Sequence, residues 1–316
     1  MIRKTFAVFR GLCLMVGLST AVVAMAEEGR YTLTADQHGW QLKTPAGKTM
    51  FSYMTSNPPD SNMTANSVCC LYPVYSPSGV RVVDFAPGDH RHHRGVFLAW
   101  HTTVCGDQRA DFWGWGSMAP TEDRMIRNRQ VELATATEDR AVIRVDNDWL
   151  IGDRKVLDEQ TTITAFEHRG VYVIEFDFRL LPQVDFRIEQ TAFGGFCVKA
   201  RQDGKAAFYS PGGRVDLPTP HHLKPETDWP AQAWYDYVIQ LDSGPTVGTA
   251  VIDHPDNPPT LWHNLLPIAM VNPCIAAPGP VERSAGEPLR LRYRMVIHDG
   301  PAPVKVLNEL AEWQAR

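Results

Sequence analysis

A chain of 316 residues, 44% hydrophobic and 21% charged, has the makeup of a folded protein long enough for one large domain or two ordinary ones. Its net charge of −5, with 31 Lys and Arg scattered among 36 Asp and Glu, offers no basic stripe to follow a phosphate backbone, which excludes nucleic acid as an expected partner. No apolar run after residue 26 approaches the roughly 20 residues of a membrane helix, so no membrane span is expected in that part.

The chain begins with Arg3, Lys4 and Arg10, continues through an apolar stretch from Gly11 to Ala24, and reaches Ala24-Met25-Ala26. Basic, apolar and small residues in that order predict a signal peptide over 1–26 with cleavage before Glu27, hence a periplasmic or extracellular protein. Loss of the three basic residues leaves 28 Lys and Arg against 36 Asp and Glu, a net charge of −8. Cys69, Cys70, Cys105, Cys197 and Cys274 remain. An odd number without a Cys-x-x-Cys spacing excludes zinc-ribbon and thioredoxin-type sites, and the expectation is mostly buried free thiols.

The densest polar cluster follows, Asp89-His90-Arg91-His92-His93-Arg94-Gly95, ahead of the apolar run Val96 to Trp100 and then Asp111-Phe112-Trp113-Gly114-Trp115. Read as an extended segment, it projects His90 and His92 to one side and Asp89, Arg91 and His93 to the other. Imidazoles suit proton transfer near neutral pH, so these residues are candidates for a site; the competing reading is a solvated polar loop. Further along, Gln130 to Thr137 and Ala141 to Trp149 predict a hairpin, and Thr161 to Phe166 turns at His168-Arg169-Gly170 into another strand. From Val171 to Leu180, Tyr172, Ile174, Phe176, Phe178 and Leu180 share one face while Glu175, Asp177 and Arg179 share the other, the mark of a strand wet on one side.

Glu189 precedes Phe193-Gly194-Gly195-Phe196 and is a carboxylate placed to pair with a histidine. His254, His263 and His298 each end a β-type run, where a rigid sheet presents side chains on loops. The alternation returns from Leu289 to Ile297, and only Val304 to Gln314 shows helical spacing, with Val306, Leu310 and Trp313 on one side. With 24 prolines and 23 glycines punctuating the strands, the expected fold is all-β: a large antiparallel β-sandwich with a C-terminal helix, one domain over 27–316. No phosphate loop, nucleophile elbow or His-Glu-x-x-His helix appears, which sets aside nucleotide cofactors, serine hydrolysis and zincin chemistry.

Taken in order, Tyr72-Pro73, the run from Asp89 to Gly95, Asp111 to Gly114, Phe193 to Phe196, Asp253-His254-Pro255-x-Asn257-Pro258, Asn272-Pro273 and Arg292-Tyr293-Arg294 to His298-Asp299-Gly300 resemble the bacterial domain family catalogued as methane oxygenase PmoA-like. Arg91 stands where the family pattern usually has proline, and Val96 opens the usual Trp-Phe pair. The membrane oxidation in the family's label does not suit a chain without spans. The resemblance instead implies a sandwich similar in outline to sugar mutarotases, found among secreted sugar-degrading enzymes.

These readings combine into an exported carbohydrate-active protein that acts on a sugar or oxidised sugar by hydrolysis, elimination or epimerisation. His92 or His93 is the expected base or metal ligand, Arg94 the clamp for an oxygen, Asp111 the group that orients a histidine, and His254 the partner acid. His90, Trp113, Glu189 and His298 are expected to bind substrate, with Trp113 as the ring platform. A divalent metal on the imidazoles is a further expectation, opposed by the fixed charge of Arg94. A binding module without turnover and a metal-binding envelope protein are the competing readings.

Overall fold

The alternating strand read at 171–180 lies inside a nine-stranded antiparallel sheet. The computed structural model describes residues 29–215 and 231–313, so the expected signal segment 1–26 lies outside the described residues. Val171–Pro182 pairs on one side with Arg154–His168 and on the other with Leu289–Asp299. The hairpin expected around 138–140 is present as Arg124–Ala136 and Arg140–Ile151. The turn after His168 uses Arg169 and Gly170, both at positive φ, 47° and 81°, the backbone of a two-residue hairpin that follows the sheet's twist.

A seven-stranded antiparallel sheet faces the first one; its inner strands are Cys70–Val74, Val96–Ala99 and Gly195–Lys199. The two inner faces interdigitate. Phe196 of the smaller sheet stacks on Tyr293 of the larger, ring centroids 4.5 Å apart, and its ring lies 5.1 Å from Phe176. Burial of such aromatic side chains, each about 150–250 Å², is the main term holding the sandwich together. The fold class is therefore a large antiparallel β-sandwich.

One carboxylate enters this interior. Glu159 is buried between the sheets and accepts hydrogen bonds from Trp149 Nε1 at 2.7 Å, Asn147 Nδ2 at 2.9 Å and Thr161 Oγ1 at 2.9 Å. Burial raises its pKa and these donors oppose the rise, so full satisfaction of its oxygens is the condition for tolerating it there.

On the outer face of the large sheet, Glu175 pairs across the ladder with Arg294 and Asp177 with Arg292, as one-sided alternation requires. The same face is dry at its other end. Val171, Val173, Ala250, Ile252 and Val296 are covered by Leu307 and Leu310 of the terminal helix, Val304–Ala311. The helix is shorter than expected because Glu312 is extended. Trp313 thus lies past its end, packed against His254 with centroids 4.2 Å apart. The five cysteines from 69 to 274 are all free, and only Cys69 is not fully buried.

Candidate functional site

The histidine run enters the strand Val96–Ala99 through turns, which corrects the extended reading. His90 N donates to Pro87 O at 3.0 Å and His93 N to His90 O at 2.9 Å, so the chain folds on itself within four residues. Strand-like alternation is lost and three imidazoles gather. His90 and His93 stack at 4.9 Å, and His92 meets their edges at 5.8 and 4.6 Å. Nδ1 of His90 lies 3.1 Å from Asp89 Oδ2. Burial would raise the Asp89 pKa, but the interaction with His90 and the charge of Lys199 together outweigh it and hold the carboxyl below its ordinary value.

The other two rings of the run are neutral at physiological pH. Burial, reinforced by the charges of His90 and Arg94, lowers His92 to about 4. His93 is only 2% exposed, and burial with its two histidine neighbours holds it well below the ordinary imidazole value. It packs edge-on against Trp113 at 5.5 Å.

These rings form one wall of a cleft of about 960 Å³. A second part of the lining is aromatic and centres on Phe193. His101 lies 4.5 Å from it, His263 5.4 Å and Trp115 5.5 Å, all between ring centroids. His101 is locked in place. Thr191 Oγ1 donates to Phe193 O at 3.1 Å and so accepts from His101 Nε2 at 2.7 Å, while Thr102 Oγ1, 2.8 Å from Nδ1, is left to donate. Burial lowers the pKa of His101 to about 4.

The third side comes from residues 261–278. A short hairpin, closed by two backbone hydrogen bonds between Leu265 and Met270 of 2.9 and 3.0 Å, turns Leu265, Ile268 and Met270 to the cleft. Asn272 ties this side to the aromatic wall. Its Nδ2 donates to Phe196 O at 2.6 Å and Gly194 O at 3.2 Å, and its Oδ1 accepts from Gly194 N at 2.9 Å. Gly194 and Gly195 are at φ 124° and 90°, where a Cβ would come within 3.2 and 3.1 Å of the Trp100 indole, so glycine alone fits both the conformation and the space.

Several expected site residues stand elsewhere. Arg94 is fully buried behind the loop and donates to the carbonyls of His92 at 3.2 Å, Phe112 at 3.3 Å and Trp113 at 2.9 Å, with its guanidinium 4.2 Å from the Phe97 ring. It holds the loop and does not line the cleft. Asp111 orients no histidine; it accepts from Gly114 N at 2.7 Å and Gly116 N at 2.6 Å. Trp113 points inward, fully buried, and Trp115 outward, 42% exposed, so of the two it is Trp115 that lines the cleft. Glu189 pairs with Arg187 at 3.4 Å, outside the lining.

His254 does not share the cleft. It lines a second cavity of about 420 Å³ with Asp253 and Trp262, whereas Leu261 and His263, on either side of Trp262, face the first. The segment 261–263 stands between the two cavities. His298 is buried against Asp236, Nε2 to Oδ2 3.0 Å, under Gly248. Burial alone would lower its pKa, but the Asp236 carboxylate raises it above the ordinary value. Of the nine residues singled out in the sequence, the cleft gathers His90, His92 and His93, and with them His263, read from the sequence as the end of a β-type run; sequence reasoning missed His101, Thr191 and Phe193 as lining residues and preferred Trp113 to Trp115 as the ring platform. His101 follows Trp100 at the end of a strand, the only signal that marked it.

Among the described residues no three His, Cys, Asp or Glu side chains are arranged to hold a metal ion, and no helix is long and apolar enough to cross a membrane. The described lining of the cleft carries no Asp, Glu, Lys or Arg. What the arrangement offers is a set of imidazole and hydroxyl proton donors and acceptors beside aromatic surfaces.

A family model described as a family of unknown function (DUF6807) matches residues 43–312. No curated protein matches by sequence. Among solved structures, the chain is similar to a galactose mutarotase related enzyme from Lactobacillus acidophilus, with 8% identity, a TM-score of 0.35, and coverage of 85% of this chain and 97% of the other. It is also similar to the GH36 alpha-galactosidase AgaA from Geobacillus stearothermophilus, with 11% identity, a TM-score of 0.39 and 87% of this chain covered. An alpha-galactosidase from Lactobacillus brevis shows 9% identity, a TM-score of 0.37 and 84% coverage of this chain. The chain spans only 40% and 39% of those two galactosidases.

Proposed function

The chain belongs to the family of unknown function DUF6807, and we propose that it is a carbohydrate-active enzyme that moves a proton on a sugar or oxidised sugar. The observation that carries this reading is the trio His90, His92 and His93, in mutual ring contact on a cleft walled by Trp115 and Phe193. Aromatic faces hold the apolar face of a sugar ring, and an imidazole whose Nδ1 faces a carboxylate presents Nε2 as the proton acceptor. His90, beside Asp89, is the base. His92 and His93, held neutral, hydrogen-bond the oxygen on which charge develops, as preorganised dipoles do in a dry site.

This chemistry favours elimination or epimerisation beside a sugar carbonyl. Glycoside hydrolysis with paired carboxylates is supported least, because the described lining has none. One observation favours a second reading, binding without turnover: both ring nitrogens of His101 are engaged by threonine hydroxyls, so that ring is a fixed wall.

The test is incubation of the purified protein with glycosides and keto-glycosides in deuterium oxide, read by NMR. Deuterium entering next to a carbonyl, lost in His90→Gln, is the expected result. Binding without exchange or conversion leaves the second reading. Export completes the proposal, supported by the basic, apolar and small-residue order of 1–26. Protein recovered from the producing cell is then expected to begin at Glu27 and to lie outside the cytoplasm; an intact Met1 in the cytoplasm overturns export.

A further inference from the structure

We infer that the substrate is an uncharged glycoside carrying a small apolar aglycone, which the cleft holds on the aliphatic side formed by residues 261–278. This inference rests on the sugar reading above and deepens it. A bare sugar ring would be satisfied by the imidazoles of His90, His92 and His93, by Gln190 and by the faces of Trp115 and Phe193. The cleft does not end there.

Its third side is a continuous aliphatic surface of Leu261, Leu265, Ile268, Met270, Ala277 and Pro278, with Met118, 56% exposed, at the rim. Such side chains offer a sugar's hydroxyls no partner, and a polar ligand pressed against them would lose hydration without compensation. They suit a hydrocarbon group. The volume of about 960 Å³ stands near the top of the usual range for small-molecule sites, about 300–1,000 Å³, so a sugar and an attached group fit together.

Charge sets the other limit. Two positive groups behind the histidine wall are occupied: Arg94 donates to three carbonyls, and Lys199 to Gln202 and to the carbonyl of Ile268, while Arg91, exposed in the same run, is not among the lining residues. With no cation among the described lining residues, a sugar carboxylate entering the cleft would lose water and find no counter-charge. The ligand is therefore amphipathic, with hydroxyls toward the imidazoles, a ring face on the aromatic wall and an apolar group on the aliphatic side.

The experiment is calorimetric titration of the full chain with methyl, ethyl, propyl and butyl glycosides of glucose, galactose, mannose and xylose, and with the matching butyl glucuronide. Within the sugar series that binds, affinity is expected to rise about fourfold per added methylene, the fold-change that burying each one brings. The slope is expected to flatten in Ile268→Ser, and the glucuronide to bind at least tenfold more weakly than its neutral counterpart. Equal affinity along the alkyl series, or a glucuronide that matches the neutral glycoside, overturns this inference while the sugar reading stands. Failure of every one of these glycosides, and of the keto-glycosides above, to bind overturns both.

Discussion

Replacing His101 with glutamine tests whether a buried, neutral imidazole shapes the acid response of the cleft. Unfolded, His101 titrates near the ordinary value of roughly 6.5; folded, burial lowers it to about 4. Below the first value the unfolded chain takes up a proton that the folded chain resists, so stability is present above about 6.5 and is lost as the pH falls toward 4. Linkage between those two values makes His101 cost about 2 kcal/mol of stability between pH 7 and pH 5. Glutamine keeps hydrogen-bonding groups for Thr102 and Thr191 but does not titrate. Urea unfolding of both proteins at pH 7 and pH 5 is the assay, and the acid loss in His101→Gln is expected to be smaller by about 2 kcal/mol. His92, also lowered to about 4 chiefly by burial, acts in the same direction in both proteins and cancels from the difference apart from the part that the charge of His101 contributes to it. His298, raised by Asp236, acts with the opposite sign and cancels too. An identical acid loss in the two proteins would refute the claim that His101 is held neutral by burial.

Gly248→Ala would put a Cβ 2.1 Å from His298 Nε2 and 3.1 Å from Asp236 Oδ1; separating that buried pair is expected to cost about 3 kcal/mol in urea unfolding, and an unchanged midpoint would contradict the contact. Trp113→Ala is expected to cost about 3–5 kcal/mol as a core truncation. Trp115→Ala should change stability by less than about 1 kcal/mol yet weaken glycoside binding several-fold by calorimetry; the reverse pattern would exchange their roles. Asp111→Ala removes the acceptor of two backbone N–H groups and is expected to cost about 2–3 kcal/mol in thermal unfolding; full stability would mean that the turn carrying Trp115 holds itself.

The sandwich was legible where one face of a strand is dry and the other wet, because period-two alternation is local: 171–180 and 289–297 appear as neighbouring strands. The histidine run was legible as chemistry but not as geometry. Whether His90 and His93 point apart or stack depends on two main-chain hydrogen bonds within 87–93, and polar residues signal a turn and an extended loop alike. Arg94 misleads for a related reason. A charged side chain next to histidines reads as a substrate clamp, yet it is buried, donating to three carbonyls with its guanidinium over an aromatic ring. The separation of His254 from the cleft hangs on which way each residue of 261–263 faces, a consequence of sheet packing that no local pattern carries. His101 and Thr191 meet across 90 residues, so neither announces the other.

The tie made by Asn272 has a practical consequence. Because it joins the main chain of Gly194 and Phe196 to the segment bearing Leu265 and Met270, the gape of the cleft is set by a backbone frame and not by the residues that paper it. Exchanging Leu261 or Ile268 for larger or smaller neighbours would then retune which ligand fits while the jaws stay at one spacing. Exchanging Asn272 would unhinge them, and selectivity and order would be lost together. Anyone reshaping this pocket should treat the aliphatic side as interchangeable upholstery and the asparagine as the joint of the chair.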